Sequence, residues 1–528
     1  MSKGFEHHAR TFTLLTVASR LTGLARDAAL TRAFGLGPVA DAFTFAFMIP
    51  NLFRRLFGEG ALSSAFLPAY AKRLESGGEA EAGYLAWRVL SIATVVMGSI
   101  VVAGELVLGG IHLTDGREDT RLTVSLLAIM LPYMPLVCLV ALLGAVLQVH
   151  HRFGPTASAP VILNLLVAGT AVGGWWLLGE GDATGRVLAV AIAVLAAGVL
   201  QLGWCLLAVR PLRAIRRGSS DSSLVASRSV WKTTLPMLLG LGVLQVNTFV
   251  DGLIASWPTT FGSTILGFEY PLPEGSMATL SFAQRLYEFP LGVFGVAIAT
   301  AIFPQLARES HDPARFQSTL RRGLRLSVFI GAAASTGLAA VCFPLAATLY
   351  VGNAFSMDDA WRVAWVVLGY APAIWAYSVN QLYTRAFYAM GDTTTPVRLS
   401  IAMVALNFTL NIILINTPLG VAGLAWSTCA CAVLQCLILG KKLARRTGQI
   451  VDREVGHSLL RSAGIALLMG ITVAVTLSTI TVDSWLSAAL ALAAGTTLGA
   501  GLAIAAAALL KAPELSWAMG RPGAAASG

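Results

Sequence analysis

Residues 18–73 place Arg20, Arg26, Asp27, Arg32, Asp41, Arg54, Arg55 and Glu59 within two apolar, helix-length stretches. An ionisable side chain at mid-bilayer costs about 2.5 to 3.5 kcal/mol on insertion scales, so charges in such stretches face a protein interior or a water-filled cavity. The arginines outnumber the carboxylates, and a guanidinium offers planar, bidentate hydrogen bonding to phosphate or carboxylate. The chemistry this set supports is anion binding inside a membrane. The competing reading is mutual pairing, since Arg26 adjoins Asp27 and Arg55 stands i,i+4 from Glu59. Pairing leaves Arg20 and Arg54 unmatched, and an unmatched buried charge is expensive. Ser19 shares a helix face with Arg26 at i,i+7, with Gly23 between them permitting a bend or a close approach.

Two further polar sets interrupt apolar segments. Arg285 and Glu288, spaced i,i+3 in AQRLYEFP, either pair with each other or extend the cationic set. Asp251 is the one carboxylate of the segment VNTFVDGLIAS; Asn407 and Asn411 are i,i+4, and Ser427 and Thr428 follow Gly423. Carboxylate, amide and hydroxyl oxygens suit a hard cation such as Na⁺. They equally suit hydrogen bonding between helices.

The elements that must hold these residues follow from composition. The chain has 528 residues, 56% hydrophobic and only 12% charged, with a mean hydropathy of +0.72. Soluble domains carry about 25% charged residues, so the expectation is an all-α polytopic membrane protein. Apolar runs of about 20 residues indicate helices, because barrel strands alternate over about 10 residues. About fourteen such segments occur, near 11–34, 41–70, 88–111, 122–148, 159–179, 187–209, 231–256, 276–306, 324–350, 363–388, 399–415, 420–440, 462–481 and 486–510. Pro50 and Pro290 remove backbone hydrogen bonds inside two of them and predict kinks. The opening MSKGFEHHAR does not have the form of a signal peptide, so the first segment is expected to remain as a helix.

Lys and Arg concentrate in the loops on the N-terminal side, while the opposite loops hold only Arg117, Arg121, Arg186 and Arg362. This asymmetry predicts cytoplasmic termini. The formal charge of +10 is therefore a matter of topology and anionic lipid rather than nucleic-acid binding. The six cysteines, in apolar runs, read as packing residues. All seven histidines fall in loops or at helix ends, and no H-E-x-x-H, P-loop or aspartate-rich diphosphate motif is present, so an enzyme is not indicated.

A weak internal repeat accompanies this pattern. Tyr133 precedes Gly154 by the interval at which Tyr370 precedes Gly391, each glycine opening G-x-T, and PAYAK from Pro68 matches PQLAR from Pro304 at nearly the same offset. Copies that leave the membrane on one side are parallel repeats. The expected organisation is an N-terminal lobe over 1–215, a C-terminal lobe over 216–445, and two Ala- and Gly-rich helices with a short tail over 446–528.

The runs SRLTGLARDAALTRAFG and DAFTFAFMIPNLFRRLFGEGALSSAFLP, HRFGPTASAPVILN from His151, and FAQRLYEFPLGVFGVAIATAIFPQLAR from Phe282 closely resemble the MurJ (MviN) family of bacterial lipid II flippases. The resemblance extends over most of the chain to about residue 440. It implies two six-helix lobes around a central cavity and transport of lipid II, the undecaprenyl-diphosphate-linked disaccharide pentapeptide, across the cytoplasmic membrane by alternating access. To the substrate-facing set read from the residues themselves, Ser19, Arg20, Arg26, Asp27, Asp41, Arg54, Arg55 and Glu59, the resemblance adds Arg285, whose counterpart faces the cavity in the family, and it implies a groove for the polyprenyl tail beside the last two helices. Some members hold Na⁺, and the matching positions are Asp251, Asn407, Asn411, the Gly423 carbonyl and Ser427. No other cofactor is implied, and the expected state is a monomer with lipid partners. Rival readings are another exporter of the same superfamily, for drugs or O-antigen lipids, and a membrane-embedded transferase acting on polyprenyl diphosphate.

Overall fold

The computed structural model describes residues 3–519 except 59, 115, 116, 180, 213 and 219. It is almost wholly helical and divides into two compact units, Met1–Ala278 and Thr279–Gly528.

The first unit contains α1 (Lys3–Phe34), α2 (Pro38–Phe53), a π-helical turn (Arg54–Gly58), α3 (Ala61–Thr114), α4 (Glu118–Met130), α5 (Tyr133–Val149), α6 (Gly154–Leu178), α7 (Ala183–Val209) and α8 (Asp221–Thr260). A two-residue hairpin, β1 (Thr264–Ile265) and β2 (Phe268–Glu269), follows α8, with Thr264 opposite Glu269. The second unit takes most of α9 (Ser276–Pro290), then a π-helical turn (Leu291–Gly295), α10 (Val296–Arg308), α11 (Pro313–Tyr350), α12 (Met357–Tyr370), α13 (Ala373–Ala389), α14 (Thr394–Ile415), α15 (Ala422–Thr447), α16 (Arg453–Ser478), α17 (Trp485–Leu509) and α18 (Pro513–Ala518).

The apolar segments expected from the sequence fall on helices, four of them (41–70, 122–148, 276–306 and 363–388) each divided between two helices. By length and composition, nine spans among the described residues can cross a membrane, or ten if the pair Met357–Tyr370 and Ala373–Ala389, bent by 41°, counts as one. One of the nine, Pro38–Thr114, holds two expected segments, separated where Gly78 adopts a φ of 71° inside α3. The expected segments outside that count lie in α1, α8 and α9–α10, which carry Arg20, Arg26, Asp27, Asp251, Arg285 and Glu288. Outward-facing Val95, Leu106, Leu165, Ile192, Leu207, Leu437, Leu460, Ile471 and Leu490 are all more than half exposed. Bilayer hydrocarbon, unlike water, accommodates such a surface, while helices satisfy their own backbone groups within it.

The two units repeat a local device. Pro50 lies in α2 just before the π-helical turn at Arg54–Gly58, and Pro290 ends α9 directly before the one at Leu291–Gly295. Proline has no N–H for the carbonyl one turn back, and each helix widens to a π turn beyond it rather than stopping. Likewise α4 breaks into α5 at Pro132, and α12 into α13 at Pro372.

In the first unit Phe66, Tyr70, Leu85, Val89, Leu142 and Val146 form one core joining α3 to α5, and Leu126, Met130, Tyr133, Val190 and Val194 form another among α4, α5 and α7. In the second, Leu306, Leu320, Val379, Leu382, Leu439 and Leu443 join α10, α11, α13 and α15. The small residues of α17 are spent on close packing: a Cβ on Gly495 would meet Leu477 and Val341 at 3.0 and 3.1 Å, and one on Gly499 would meet Val473 at 3.4 Å.

The end of the second unit is pinned by a buried ion cluster. Glu514 of α18, fully buried, accepts from Arg325 Nε of α11 at 2.7 Å, and from Ser458 Oγ at 2.6 Å and Arg461 Nη2 at 2.7 Å, both of α16. Trp517 lies under the Arg322 and Arg325 guanidinium groups at 5.0 and 4.9 Å. Burial alone would raise the Glu514 pKa, but the Ser458, backbone and Arg325 hydrogen bonds outweigh it and hold the carboxyl below its usual range. A depressed folded pKa contributes stability that is full above the unfolded glutamate value near ~4.3 and is lost as pH falls through the folded value. Glu514→Ala should speed hydrogen exchange at the adjoining ends of α11 and α16 by about 3 to 5 kcal/mol of local opening energy, because it strands Arg461 and leaves the buried Arg325 with Glu454 alone. In the parent protein the same protection should survive from neutral pH down to the glutamate range and fail only below it.

Candidate anion site on α1, α2 and α6

Arg26 sits in the last third of α1 with its side chain 11% exposed, beside Asp27 at 8%. Adjacent residues point about 100° apart on a helix, yet the guanidinium folds back so that Nε and Nη2 donate to Asp27 Oδ1 at 2.9 and 2.6 Å. The remaining arm reaches α6, where Nη1 donates to Asn164 Oδ1 at 3.0 Å. Asn164 uses both its amide hydrogens on α1, donating to the Ser19 carbonyl at 3.2 Å and to Thr22 Oγ1 at 3.3 Å. Gly23 opens the space, because its ideal Cβ position lies 3.4 Å from Asn164 Nδ2. The Phe47 ring of α2 stands 5.9 Å from the Arg26 guanidinium carbon. The result is a charge-balanced cluster in which a bidentate donor is held ready and already partnered.

Arg54 occupies the first position of the π-helical turn, half-buried, and donates from Nε and Nη2 to Asn51 Oδ1 at 3.0 and 2.8 Å. Arg55 beside it is also half-buried, whereas Arg20 is exposed. Ser19 is half-buried and enters the Arg26 cluster through its carbonyl. Glu59 lies outside the described residues.

Asp41 belongs to a different place. It lies in the first turn of α2, about 20 Å along the axis from Arg54 at ~1.5 Å per residue, and is fully buried. Its carboxylate accepts from Thr259 Oγ1 at 2.9 Å, the Gly275 amide at 2.7 Å and the Ala278 amide at 2.8 Å, which caps the start of α9. In the second unit Arg285 meets Glu288 at 3.7 Å, with 33% and 41% of the side chains exposed, a loose pair open to solvent.

The oxygens considered for Na⁺ fall in two groups. In the first unit Asp251, 2% exposed, accepts from Asn247 Nδ2 at 3.2 Å. In the second, Asn411 Nδ2 donates to Asn407 Oδ1 at 3.0 Å, Asn407 Nδ2 to Ser427 Oγ at 3.2 Å, and Ser427 Oγ to Asn411 Oδ1, a closed ring between α14 and α15. Gly423 lets the two helices meet, since a Cβ there would strike the Leu414 carbonyl at 2.8 Å. Among the described residues no three His, Cys, Asp or Glu side chains converge as metal ligands.

Asn164 and Asn51, the partners of the two inner arginines, were not among the residues singled out from sequence. A lone amide in an otherwise apolar run, as in PVILNLLV, is the one signal that marks the first. Glu105 of α3 is a further charged residue in an apolar run, with one carboxyl oxygen buried and no hydrogen-bond partner to it among the described residues.

The family model described as "Lipid II flippase MurJ" matches residues 30–505. The chain belongs to the MurJ family. A "Probable lipid II flippase MurJ" of Haemophilus influenzae is 31% identical over 487 residues, covering 87% of this chain and 90% of that protein. A "Lipid II flippase MurJ" of Burkholderia cenocepacia is 31% identical over 461 residues, covering 82% of each. Among solved structures, "Lipid II flippase MurJ, inward closed conformation" superposes with a TM-score of 0.75 at 21% identity, over 95% of this chain and 99% of that one. An inward-facing multidrug resistance MATE transporter of the MOP superfamily gives 0.64 at 14% identity, over 84% and 98%. At these identities the superpositions establish the fold alone, and the MurJ assignment rests on the sequence.

In MurJ terms the decisive local feature is the α1–α6 cross-link. Asn164→Leu should leave the Arg26–Asp27 pair in place but remove three hydrogen bonds between α1 and α6. The expected outcome is faster hydrogen exchange over the second half of α1 with unchanged insertion, measured on purified protein in nanodiscs.

Proposed function

We propose that this chain is a lipid II flippase, moving undecaprenyl-diphosphate-linked disaccharide pentapeptide from the cytoplasmic to the periplasmic leaflet by alternating access. The observation that carries the reading is the MurJ family match across residues 30–505, with relatives named for that activity. No bond is made or broken, so the protein is a transporter and not an enzyme. It resides in the bacterial cytoplasmic membrane as a monomer, with both termini cytoplasmic as its Lys and Arg distribution predicts.

The geometry of the first unit supports a diphosphate ligand. Arg26 keeps its guanidinium planar and half-satisfied by a carboxylate, so an incoming phosphate exchanges one anionic acceptor for another instead of stripping a bare charge from water. Arg54 and Arg55 stand at a π-helical turn behind a proline, a backbone arrangement that is associated with functional sites and lends itself to rearrangement. A cationic-drug antiporter shares the fold but would want acidic residues where this chain presents arginines. Depletion in the native host, followed by leaflet-resolved measurement of lipid II, tests the activity directly, and accumulation confined to the cytoplasmic leaflet is expected. Arg26→Ala and Arg285→Ala should each abolish complementation while the proteins remain folded and inserted, since each removes a charge-assisted contact worth about 1.5 to 3 kcal/mol. Full complementation by both would remove the diphosphate role.

Transport is gradient-driven in this reading, and Na⁺ is the coupling ion we favour. Asn407, Asn411 and Ser427 gather neutral oxygens at the α14–α15 crossing, the donor chemistry that a hard monovalent cation accepts. When bound, Na⁺ would supply positive charge to a set that is otherwise hydrogen-bonded to itself. Na⁺ should then raise the melting temperature of the purified protein in a saturable manner that K⁺ does not reproduce, and Asn411→Leu should remove the effect. Identical behaviour in Na⁺ and K⁺ would leave these residues as a bond between helices.

A further inference from the structure

The first unit contains a cavity of about 490 Å³ that the arginine cluster does not account for. Its walls are α3, α5 and α6: Ser64, Leu67 and Pro68 come from the start of α3, Ala145 and Gln148 from the end of α5, and Thr156 from the first turn of α6. No charged side chain lines it among the described residues. The Thr156 hydroxyl is buried without a hydrogen-bond partner, and neither the Ser64 hydroxyl nor the Gln148 amide forms a side-chain hydrogen bond among the described residues. A buried hydroxyl is ordinarily satisfied, so the unpaired Thr156 Oγ1, with the exposed Ser64 hydroxyl and the half-buried Gln148 amide facing the same space, marks a place where a ligand supplies the partners.

The chemistry of that ligand follows from what is absent. A phosphate or a peptide carboxylate needs a cationic partner, and the lining offers none. A purely apolar chain would leave the hydroxyls and the amide unpaired. An uncharged group with hydroxyl and amide functions on one edge and an apolar face on the other fits both halves of the wall, which is the description of an N-acetylated sugar.

Position along α5 points the same way. The Cys138 thiol of α5 donates to the Phe53 carbonyl at 3.8 Å, which sets Cys138 level with the start of the Arg54 turn. Ala145 and Gln148 continue along the same face, about 10 and 15 Å further at ~1.5 Å per residue. A diphosphate held at Arg54 therefore leaves its attached carbohydrate within reach of the cavity.

We propose that this α3–α5–α6 cavity is a carbohydrate subsite, in which Ser64, Gln148 and Thr156 hydrogen-bond the N-acetylated sugars of the lipid-linked substrate while Leu67, Pro68 and Ala145 pack on a sugar face. The subsite rests on the flippase reading and refines it by assigning specificity to groups away from the arginines. The test titrates the full-length protein in nanodiscs with lipid II and, separately, with sugar-free undecaprenyl diphosphate. The double variant Gln148→Ala/Thr156→Val should lose about tenfold in affinity for lipid II and none for the sugar-free lipid. Ser64→Phe, which fills the mouth from an exposed position, should behave the same way without touching the buried wall. Unchanged affinity of both variants for lipid II overturns the subsite, as does an equal loss for both lipids, which would mark a structural role. If the parent protein binds neither lipid, the flippase reading itself fails and the subsite falls with it.

Discussion

The cost of placing charge inside a hydrocarbon layer governs this structure. A single guanidinium in α1 cannot face lipid, so α1 must be covered, and the cover is α6 with Asn164 at the contact. Once Asn164 has committed both amide hydrogens to α1, the two helices are fixed in register as well as in proximity. Gly23 stands at that crossing, where a Cβ would come into van der Waals contact with the amide at 3.4 Å, so only a small residue suits the position. The burial of Arg26 thus dictates a helix pairing, a small residue and a counter-charge, none of which hydrophobic packing alone would require.

The same constraint explains why the two units repeat proline followed by a π-helical turn. A transporter helix that carries charge must reposition it, and a continuous α-helix resists local change because each hydrogen bond supports its neighbours. Proline removes one bond without exposing the backbone to lipid, and the π turn re-satisfies the rest. Arg54 lies at the first residue of such a turn, so its direction depends on the least cooperative part of its helix.

Helix existence was legible from hydropathy, and an irregularity near Pro50 and Pro290 from the prolines, because both signals are local; that it takes the form of a π-helical turn was not. The charged character of α1 and α2 was legible too, since arginine in an apolar run is conspicuous. What the charges touch was not. Arg26 is joined to a residue 138 positions away, and an asparagine in an apolar helix looks the same whether it meets an arginine, a neighbouring helix or lipid-facing water. Asp41 shows the converse: its place in the charged stretch suggested the arginine set, whereas its oxygens cap the start of α9 more than 230 residues later, at Gly275 and Ala278. Glu514 sat in what read as a short polar tail and is instead fully buried between two arginines. In each case the missing information was the partner, and the partner is fixed by tertiary packing.

These contacts divide the buried charges by function. Glu514 has its partners on α11 and α16 and Asp41 has backbone amides that cannot leave, so both are fastened to elements whose movement would strand a charge. Arg26 and Arg54 are satisfied by side chains, Asp27, Asn164 and Asn51, that can rotate away without unfolding a helix. A ligand that offers better acceptors can take over such bonds at little structural cost, whereas it cannot displace a cap. The charges that hold the fold are therefore fastened to backbone amides, as Asp41 is, or to two arginines on separate helices, as Glu514 is, whereas Arg26 and Arg54 rest on the adjacent Asp27 and on neutral amide side chains, so the exchangeable set is the one carried by α1 and the turn after α2.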